Sequence, residues 1–102
     1  MSEPLIIAPH GDLDIASVGT FRAELAQAAS QAEQDVVVDL SGVSFIDSSG
    51  LGALVEVHNR MRREQRDFAV VAPGGTAAAV LLNLSGLQGR LPVLEARPRP
   101  TS

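Results

Sequence analysis

The sequence contains no cysteine and no lysine, and each absence removes a class of function. Without cysteine there is no disulfide scaffold, no thiolate nucleophile and no cysteine zinc site. Without lysine the chain lacks the Walker lysine of P-loop NTPases, a Schiff-base lysine and a lysine general base. Residue content therefore disfavours redox chemistry and excludes the mechanisms that depend on lysine.

Aromatic residues and positive charge are also scarce. The sequence contains three phenylalanines and no tyrosine or tryptophan, and its formal net charge is -4. Binding to nucleic acid needs a basic surface, usually with interleaved aromatic residues, so no nucleic-acid partner is expected. The basic cluster near the end of a predicted helix is interpreted as a solvent-exposed run that compensates the helix dipole. Its members are Arg60, Arg62, Arg63 and Arg66.

No long apolar run is present, because Asp or Gly interrupts the hydrophobic segments after about four to six residues. Neither a membrane span nor the core of a signal peptide is found, and we expect a cytoplasmic protein. The 102 residues, of which 45% are hydrophobic, suffice for one compact domain. We assign that domain to residues 1–96 and predict a disordered tail over 97–102, where Arg and Pro alternate.

Hydrophobic periodicity alternates between short strands and helices. The apolar run from Leu5 to Ala8 stops at Pro9, which predicts a short strand or strand pair. The β-branched run from Val36 to Leu40 predicts a central strand that is covered on at least one face. Further strands are expected at 68–71 and 91–94, and helices at 17–33, at 49–63 and from Ala77 onward.

Each predicted helix has an apolar stripe that is expected to face the sheet. The three stripes are Val18, Phe21, Leu25, Ala28, Ala29 and Ala32; Leu51, Leu54, Val55, His58 and Met61; and Ala77, Val80, Leu81 and Leu84. Strands that alternate with helices imply crossover connections and parallel pairing. The predicted fold class is α/β, with a mostly parallel β-sheet of about four strands and packed α-helices.

The segment from Asp47 to Gly52 places a carboxylate and two hydroxyls where a loop enters a helix. One interpretation is helix capping, in which Asp47 or Ser48 accepts from the first free N–H groups. The other is a docking point, where Gly50 and Gly52 allow another backbone to approach closely. Spacing alone leaves both interpretations open.

The longer stretch DLSGVSFIDSSGLG, residues 39–52, resembles the signature of the STAS-domain anti-sigma-factor antagonists. Supporting matches are GDLD at 11–14 and LSGL at 84–87, and the similarity covers about residues 5–95. The resemblance implies a STAS-like fold with a small mixed, mostly parallel sheet. One departure is Pro9, which stands where a strand of the family would continue.

In that family the second serine of the pair is phosphorylated by the partner anti-sigma factor, which is an ATP-dependent serine kinase. The resemblance therefore implies that Ser49 is the phosphoacceptor and that Ser48 is chiefly structural. Asp47 would lie beside the acceptor, and Asp14 in a neighbouring loop near the docking surface. The partner-binding residues implied in this way are Asp14, Asp47, Ser48, Ser49, Gly50 and Leu51.

The function implied by the resemblance is that of an anti-sigma-factor antagonist. Its unphosphorylated form would bind an anti-sigma factor with serine kinase activity and release a sigma factor. Phosphorylation on Ser49 would switch binding off, and a serine phosphatase would be a further partner. The alternative is a STAS-type scaffold or sensor component of another regulatory complex, without phosphorylation control.

The sequence offers weak candidates for an enzymatic site and for a metal site. Catalysis would need Ser49 as nucleophile with His10 or His58 as base, yet His58 would lie more than about 10 Å from Ser49 along an ideal helix. His10, Asp12 and Asp14 could together form a metal site, but side chains in such turn-like segments more often face water. We therefore expect no enzymatic activity, no cofactor and no metal.

Overall fold

The computed structural model describes residues 4–30, 34–86 and 90–98, in which strands alternate with helices as the periodicity predicts. The strands are β1 Leu5–Ile7, β2 Gly11–Leu13, β3 Val36–Asp39, β4 Val43–Ile46, β5 Phe68–Val71 and β6 Val93–Leu94. The helices are α1 Val18–Ser30, α2 Ser48–Arg63 and α3 Ala77–Ser85. None of these helices is long and apolar enough to cross a bilayer.

The main sheet has four parallel strands in the order β1-β3-β5-β6. Residues 36–40 are all buried, so the strand predicted there lies at the centre with both faces covered. A second sheet pairs β2 with β4, also in parallel. The prediction of an α/β fold with a mostly parallel sheet of about four strands is confirmed.

Pro9 separates the two short strands at the amino end. It lies between β1, which pairs with β3, and β2, which pairs with β4 in the second sheet. Proline has no N–H to donate to a strand ladder, so a strand that runs through this position is disfavoured. The interruption sends the chain from the edge of the main sheet to the smaller sheet that carries the candidate site.

The apolar stripe of α1 is buried as predicted at Val18, Phe21, Leu25, Ala28 and Ala29, whereas Ala32 lies outside the described residues. In α2 the predicted Leu51, Leu54, His58 and Met61 are buried, Val55 is half-buried, and Ala53 and Val57 are buried in addition. The extra burial arises because α2 packs against α1 as well as β4 and β5.

The predicted inward face of α3 is correct in part: Ala77 and Leu81 are half-buried and Leu81 packs against the core, but Val80 and Leu84 do not face inward. Ala78 and Leu82 are fully buried, whereas Val80 is 51% exposed and Leu84 is 79% exposed. This nine-residue helix is apolar on nearly every side, so a period of 3.6 does not single out one face. Contact with β4 determines which residues are covered. Gly86, with φ of 74°, ends the helix in the left-handed conformation.

Arg66 corrects the interpretation of the basic cluster as a solvent-exposed run. Its side chain is only 11% exposed, and it donates from Nη1 to the Ala29 carbonyl at 2.5 Å. It also donates to the Gln34 carbonyl from Nη2 at 2.7 Å and from Nε at 3.1 Å. The guanidinium therefore ties the end of α1 and the approach to β3 to the segment after α2. Arg62 and Arg63 are exposed as expected.

His58 is buried in α2, with its ring centroid 5.8 Å from that of Phe68. Its Nδ1 has no hydrogen-bond partner among the described residues. Burial and the nearby charge of Arg62 lower the pKa of His58, against a smaller opposing effect of the Arg90 backbone. The imidazole is therefore a packed residue of the core edge, as the sequence predicts.

The predicted tail begins at a residue that makes a tertiary contact. Nε of Arg97 lies 2.5 Å from Oδ2 of Asp39, which is buried at the end of β3. Burial acts to raise the pKa of Asp39, but hydrogen bonds from Ser41 and the charge of Arg97 outweigh it, and the pKa lies below its usual range. Residues 99–102 of the predicted tail lie outside the described residues.

Candidate functional site

The second sheet brings the two candidate carboxylates to one edge. In the parallel pair of β2 and β4, Leu13 stands opposite Ile46, so the next residues, Asp14 and Asp47, leave their strands side by side. The Asp47 N–H donates to the Leu13 carbonyl at 3.1 Å, which extends the pairing to the loop. The backbone pairing of β2 and β4 is therefore sufficient to position both loops, without a contribution from side-chain contacts.

Asp47 is the N-cap of α2, with extended backbone angles of φ -114° and ψ -171°. Its Oδ1 accepts from the N–H groups of Ser49 at 2.8 Å and Gly50 at 3.4 Å, and its carbonyl accepts from the Leu51 N–H at 3.2 Å. The capping interpretation is confirmed for Asp47. The N–H groups of Ser49, Gly50 and Leu51 therefore already have partners within the chain.

The two serines occupy the first two positions of α2. Ser48 is exposed and Ser49 is half-buried. Neither hydroxyl has a hydrogen-bond partner in the part of the chain that the structure describes. The pair is thus held rigidly through the backbone and the Asp47 cap, while both Oγ atoms are unengaged and stay available to another molecule.

Asp14 organises the neighbouring loop, between β2 and α1. Its Oδ1 accepts from the N–H groups of Ala16 and Ser17, both at 3.1 Å. Ser17 Oγ in turn donates to the Asp12 carbonyl at 2.6 Å and accepts from the Asp14 N–H at 3.0 Å. These bonds keep the loop in one conformation next to the start of α2.

Gly50 and Leu51 are buried in this structure. A Cβ atom at Gly50 would lie 2.8 Å from Ile46 Cγ1 and 3.2 Å from the Leu13 carbonyl oxygen. The glycine is therefore required by the packing of α2 on the second sheet. The absence of a side chain at Gly50 is already needed for a contact within the chain. The partner-binding role of Gly50 and Leu51 stays a prediction.

The histidines lie apart from the serine pair. The ring of His10 packs against Gly42, at a distance that leaves no space for a Cβ atom there. His58 lies in the core against Phe68, further along α2. Across residues 4–30, 34–86 and 90–98, no three His, Asp or Glu side chains come close enough together to hold a metal ion.

Two exposed apolar residues beside the site were missed by the sequence interpretation. Ile15, next to Asp14, is 77% exposed, and Phe45, in β4, is 50% exposed. Ile15 carried no signal, because it follows Leu13 and Asp14 in the segment where a strand pair was possible. Phe45 carried none either, since no strand was predicted at 43–46, where Ser44 interrupts the apolar residues.

The Asp47 cap makes a first prediction. Asp47→Ala should lower the free energy of unfolding by about 1 to 2 kcal/mol, because the N–H groups of Ser49 and Gly50 lose their acceptor. Asp47→Asn keeps an acceptor oxygen and removes the charge, so it should recover most of the loss. Urea denaturation of the three proteins measures both effects. Equal losses in the two variants would show that the charge matters, and not the cap.

The fold and the site together define a class of protein: a small parallel α/β domain that presents a capped serine pair at the joined ends of two strands. The STAS domain family model matches residues 2–97, and the chain belongs to that family. The fold class and the family were both predicted from the sequence, and both are confirmed.

Solved structures with the same fold include two anti-sigma factor antagonists. One, from Mycobacterium paratuberculosis, superposes with a TM-score of 0.81 at 25% identity, over 89% of this chain and 76% of that one. The other is SpoIIAA in its unphosphorylated form, with a TM-score of 0.69 at 19% identity, over 90% of this chain and 79% of that one. At 19% identity the second likeness concerns the fold alone.

Proposed function

We propose that this protein is a cytoplasmic anti-sigma-factor antagonist that works as a phosphorylation-controlled binding switch. Its unphosphorylated form binds an anti-sigma factor with serine kinase activity and so releases a sigma factor. The kinase then phosphorylates Ser49, which ends the binding, and a serine phosphatase restores the first state. The protein has no enzymatic activity of its own in this cycle.

The observation that carries the proposal is the state of Ser49. Its backbone N–H is held by Asp47 at 2.8 Å, while its hydroxyl has no partner among the described residues. A phosphoacceptor needs a hydroxyl oxygen that is free to attack. The STAS family match and the antagonist from Mycobacterium paratuberculosis support the same function.

The loops on either side of Ser49 support binding by a preformed surface. Asp14 and Asp47 each hold two backbone N–H groups through Oδ1, so both loops are ordered in the free chain. Binding of a partner here loses little conformational entropy, because the surface is already ordered in the free chain. The partner surface then comprises the first turn of α2 and the loop from Asp12 to Asp14.

The acceptor assignment is tested with kinase-type anti-sigma factors from the same genome and ATP, with phosphate located by mass spectrometry. Wild-type protein and Ser48→Ala should both be phosphorylated on Ser49, and Ser49→Ala should take up none while it still binds. Ser48→Ala is the matched control, since it removes the neighbouring hydroxyl in the same turn.

Two results would contradict the proposal in different ways. Undiminished phosphorylation of Ser49→Ala would show that the acceptor is another residue. Stable binding to a regulatory partner, with no phosphate transferred by any candidate kinase, would favour the alternative of a STAS-type scaffold or sensor without phosphorylation control.

A further inference from the structure

Two large apolar side chains are exposed on the side of the molecule that carries the serine pair. Phe45 is 50% exposed in β4, and Ile15 is 77% exposed in the loop that leads to α1. A single exposed apolar residue is normal on a protein surface. Two beside one candidate site form a local feature, which we call the anchor pair.

The strand register explains why Phe45 faces outward. Asp12 and Phe45 stand opposite each other in the parallel pair of β2 and β4, and both are exposed. The next pair, Leu13 and Ile46, is buried in the core. The register shifts at this point, because Gly11 stands opposite Val43 and the next residue, Asp12, stands opposite Phe45, which leaves Ser44 without a partner. This irregularity, and not a simple alternation of side chains along β4, brings Phe45 beside Asp12 on the outer face.

Ile15 lies at the end of the same sheet. It follows Asp14, whose Oδ1 accepts from the next two N–H groups and fixes the loop around Ile15. Asp47, beside Asp14 in the strand register, opens the helix that carries Ser49. The two residues of the anchor pair therefore lie near the ends of β2 and β4, the two strands that position the candidate phosphoacceptor Ser49.

Three carboxylates lie at the strand ends that carry the anchor pair. Asp12, Asp14 and Asp47 belong to the same two strand ends, and none of them forms an ion pair with another described residue. Arg22, whose guanidinium lies near Gly52 in α2, is paired with Glu56, and the other ion-paired arginines contact Glu64 and Asp39. An occupant of this face would therefore meet two apolar side chains within an acidic rim.

We propose that Ile15 and Phe45 are the apolar anchors of the partner interface, inserted into an apolar recess of the kinase-type anti-sigma factor that is bordered by Arg or Lys side chains. The inference rests on the proposed function, and it adds the chemistry of the partner surface. Buried aliphatic and aromatic side chains at the centre of an interface supply much of its affinity, and a rim of opposite charge supplies orientation and speed of association.

A second copy of this chain fits the face poorly. A symmetric dimer would bring the same surface of two copies together, so the three carboxylates of one copy would meet those of the other. Like charges that face each other across an interface disfavour association. Charge complementarity therefore favours a basic partner over self-association.

The chain offers a matched control for each anchor. Val80 and Leu84, on α3, are 51% and 79% exposed, against 50% for Phe45 and 77% for Ile15. Ile15→Ser is paired with Leu84→Ser, and Phe45→Ser with Val80→Ser, so each pair removes an apolar side chain of similar exposure. Binding of the unphosphorylated proteins to the cognate kinase-type anti-sigma factor is measured by titration calorimetry without ATP, with melting temperatures recorded for all variants.

Ile15→Ser and Phe45→Ser should each weaken binding about tenfold or more, whereas the α3 variants should stay within about twofold of wild type. Wild-type affinity should also fall as salt is raised, because the rim is charged. Should Phe45→Ser lower the melting temperature, Ile15→Ser still tests the interface, since its side chain is mostly in solvent.

The remaining outcomes separate this inference from the proposed function. Tight wild-type binding that both anchor variants retain would overturn the anchors and leave the proposed function intact. Absence of wild-type binding to any kinase-type anti-sigma factor would overturn both. A wild-type dimer in analytical ultracentrifugation that the anchor variants dissociate would identify a second copy as the occupant, against the proposal.

Discussion

Phosphorylation of Ser49 is expected to reduce affinity for the kinase-type anti-sigma factor by about a hundredfold or more, with little change in melting temperature. A phosphate adds about 1.5 to 2 negative charges at pH 7. A partner packed over Ser49 would have to strip water from these charges and accommodate their bulk. In the proposed complex the basic side chains of the partner are engaged by Asp12, Asp14 and Asp47, so the phosphate would be buried without a partner. A charge buried in this way costs several kcal/mol, which is the origin of the expected loss.

The fold itself should tolerate the modification. The amino end of α2 carries about half a positive charge, which favours a nearby anion by about 0.3 to 1 kcal/mol. Asp47 already accepts from the N–H groups of Ser49 and Gly50, so the phosphate gains few of these donors and is repelled by the carboxylate. The two effects oppose each other, and the net change in stability should be small.

Melting curves and affinities of phosphorylated, unmodified and Ser49→Ala protein test this expectation. Ser49→Ala should bind like the unmodified protein, which separates the charge from the loss of the hydroxyl. Unchanged affinity after complete phosphorylation would refute the switch. A large fall in melting temperature would mean that the phosphate acts by unfolding the domain and not by blocking an interface.

Arg66→Ala is expected to lower the free energy of unfolding by about 3 kcal/mol, the largest effect of any substitution outside the apolar core that we predict. The guanidinium donates to the carbonyls of Ala29 and Gln34 from three nitrogen atoms, and its side chain is only 11% exposed. Truncation leaves both carbonyls without this charged donor, and the contact between α1 and the segment after α2 is lost.

Arg63 provides the control for the Arg66 prediction. It is exposed in the last turn of α2, so Arg63→Ala removes the same charge and should change stability by less than about 0.5 kcal/mol. Arg66→Lys keeps the charge but loses the planar fork that reaches two carbonyls, and it should be intermediate. Similar losses for Arg63→Ala and Arg66→Ala in urea denaturation would attribute the effect to net charge.

Local sequence patterns were sufficient for the three helices and for the central strand, but they did not predict β4 at Val43–Ile46. The β-branched residues of Val36–Asp39 favour a strand in any context, and Pro9 stops a strand because it lacks an N–H. The Asp47 cap was predictable for a similar reason, since a capping carboxylate acts on N–H groups only two and three residues away. The family signature supplied the candidate acceptor Ser49.

Features that depend on contacts between distant segments could not be predicted in this way. Arg66 was expected in solvent with its neighbours, but the carbonyls that hold it belong to the end of α1 and to the segment before β3. Val80 and Leu84 were expected inside, but α3 is apolar all round and its packing on β4 covers other residues. The exposure of Phe45 follows from its register opposite Asp12.

The sequence by itself determined the helices, most of the strands, the family and the two candidates for the α2 cap, because each depends on residues close in the chain. Only the tertiary structure decided which apolar residues remain exposed and which carboxylates meet. Asp14 and Asp47 come together because β2 and β4 pair in parallel with Leu13 opposite Ile46. That register is set by the burial of both residues in one core, which no short stretch of sequence encodes.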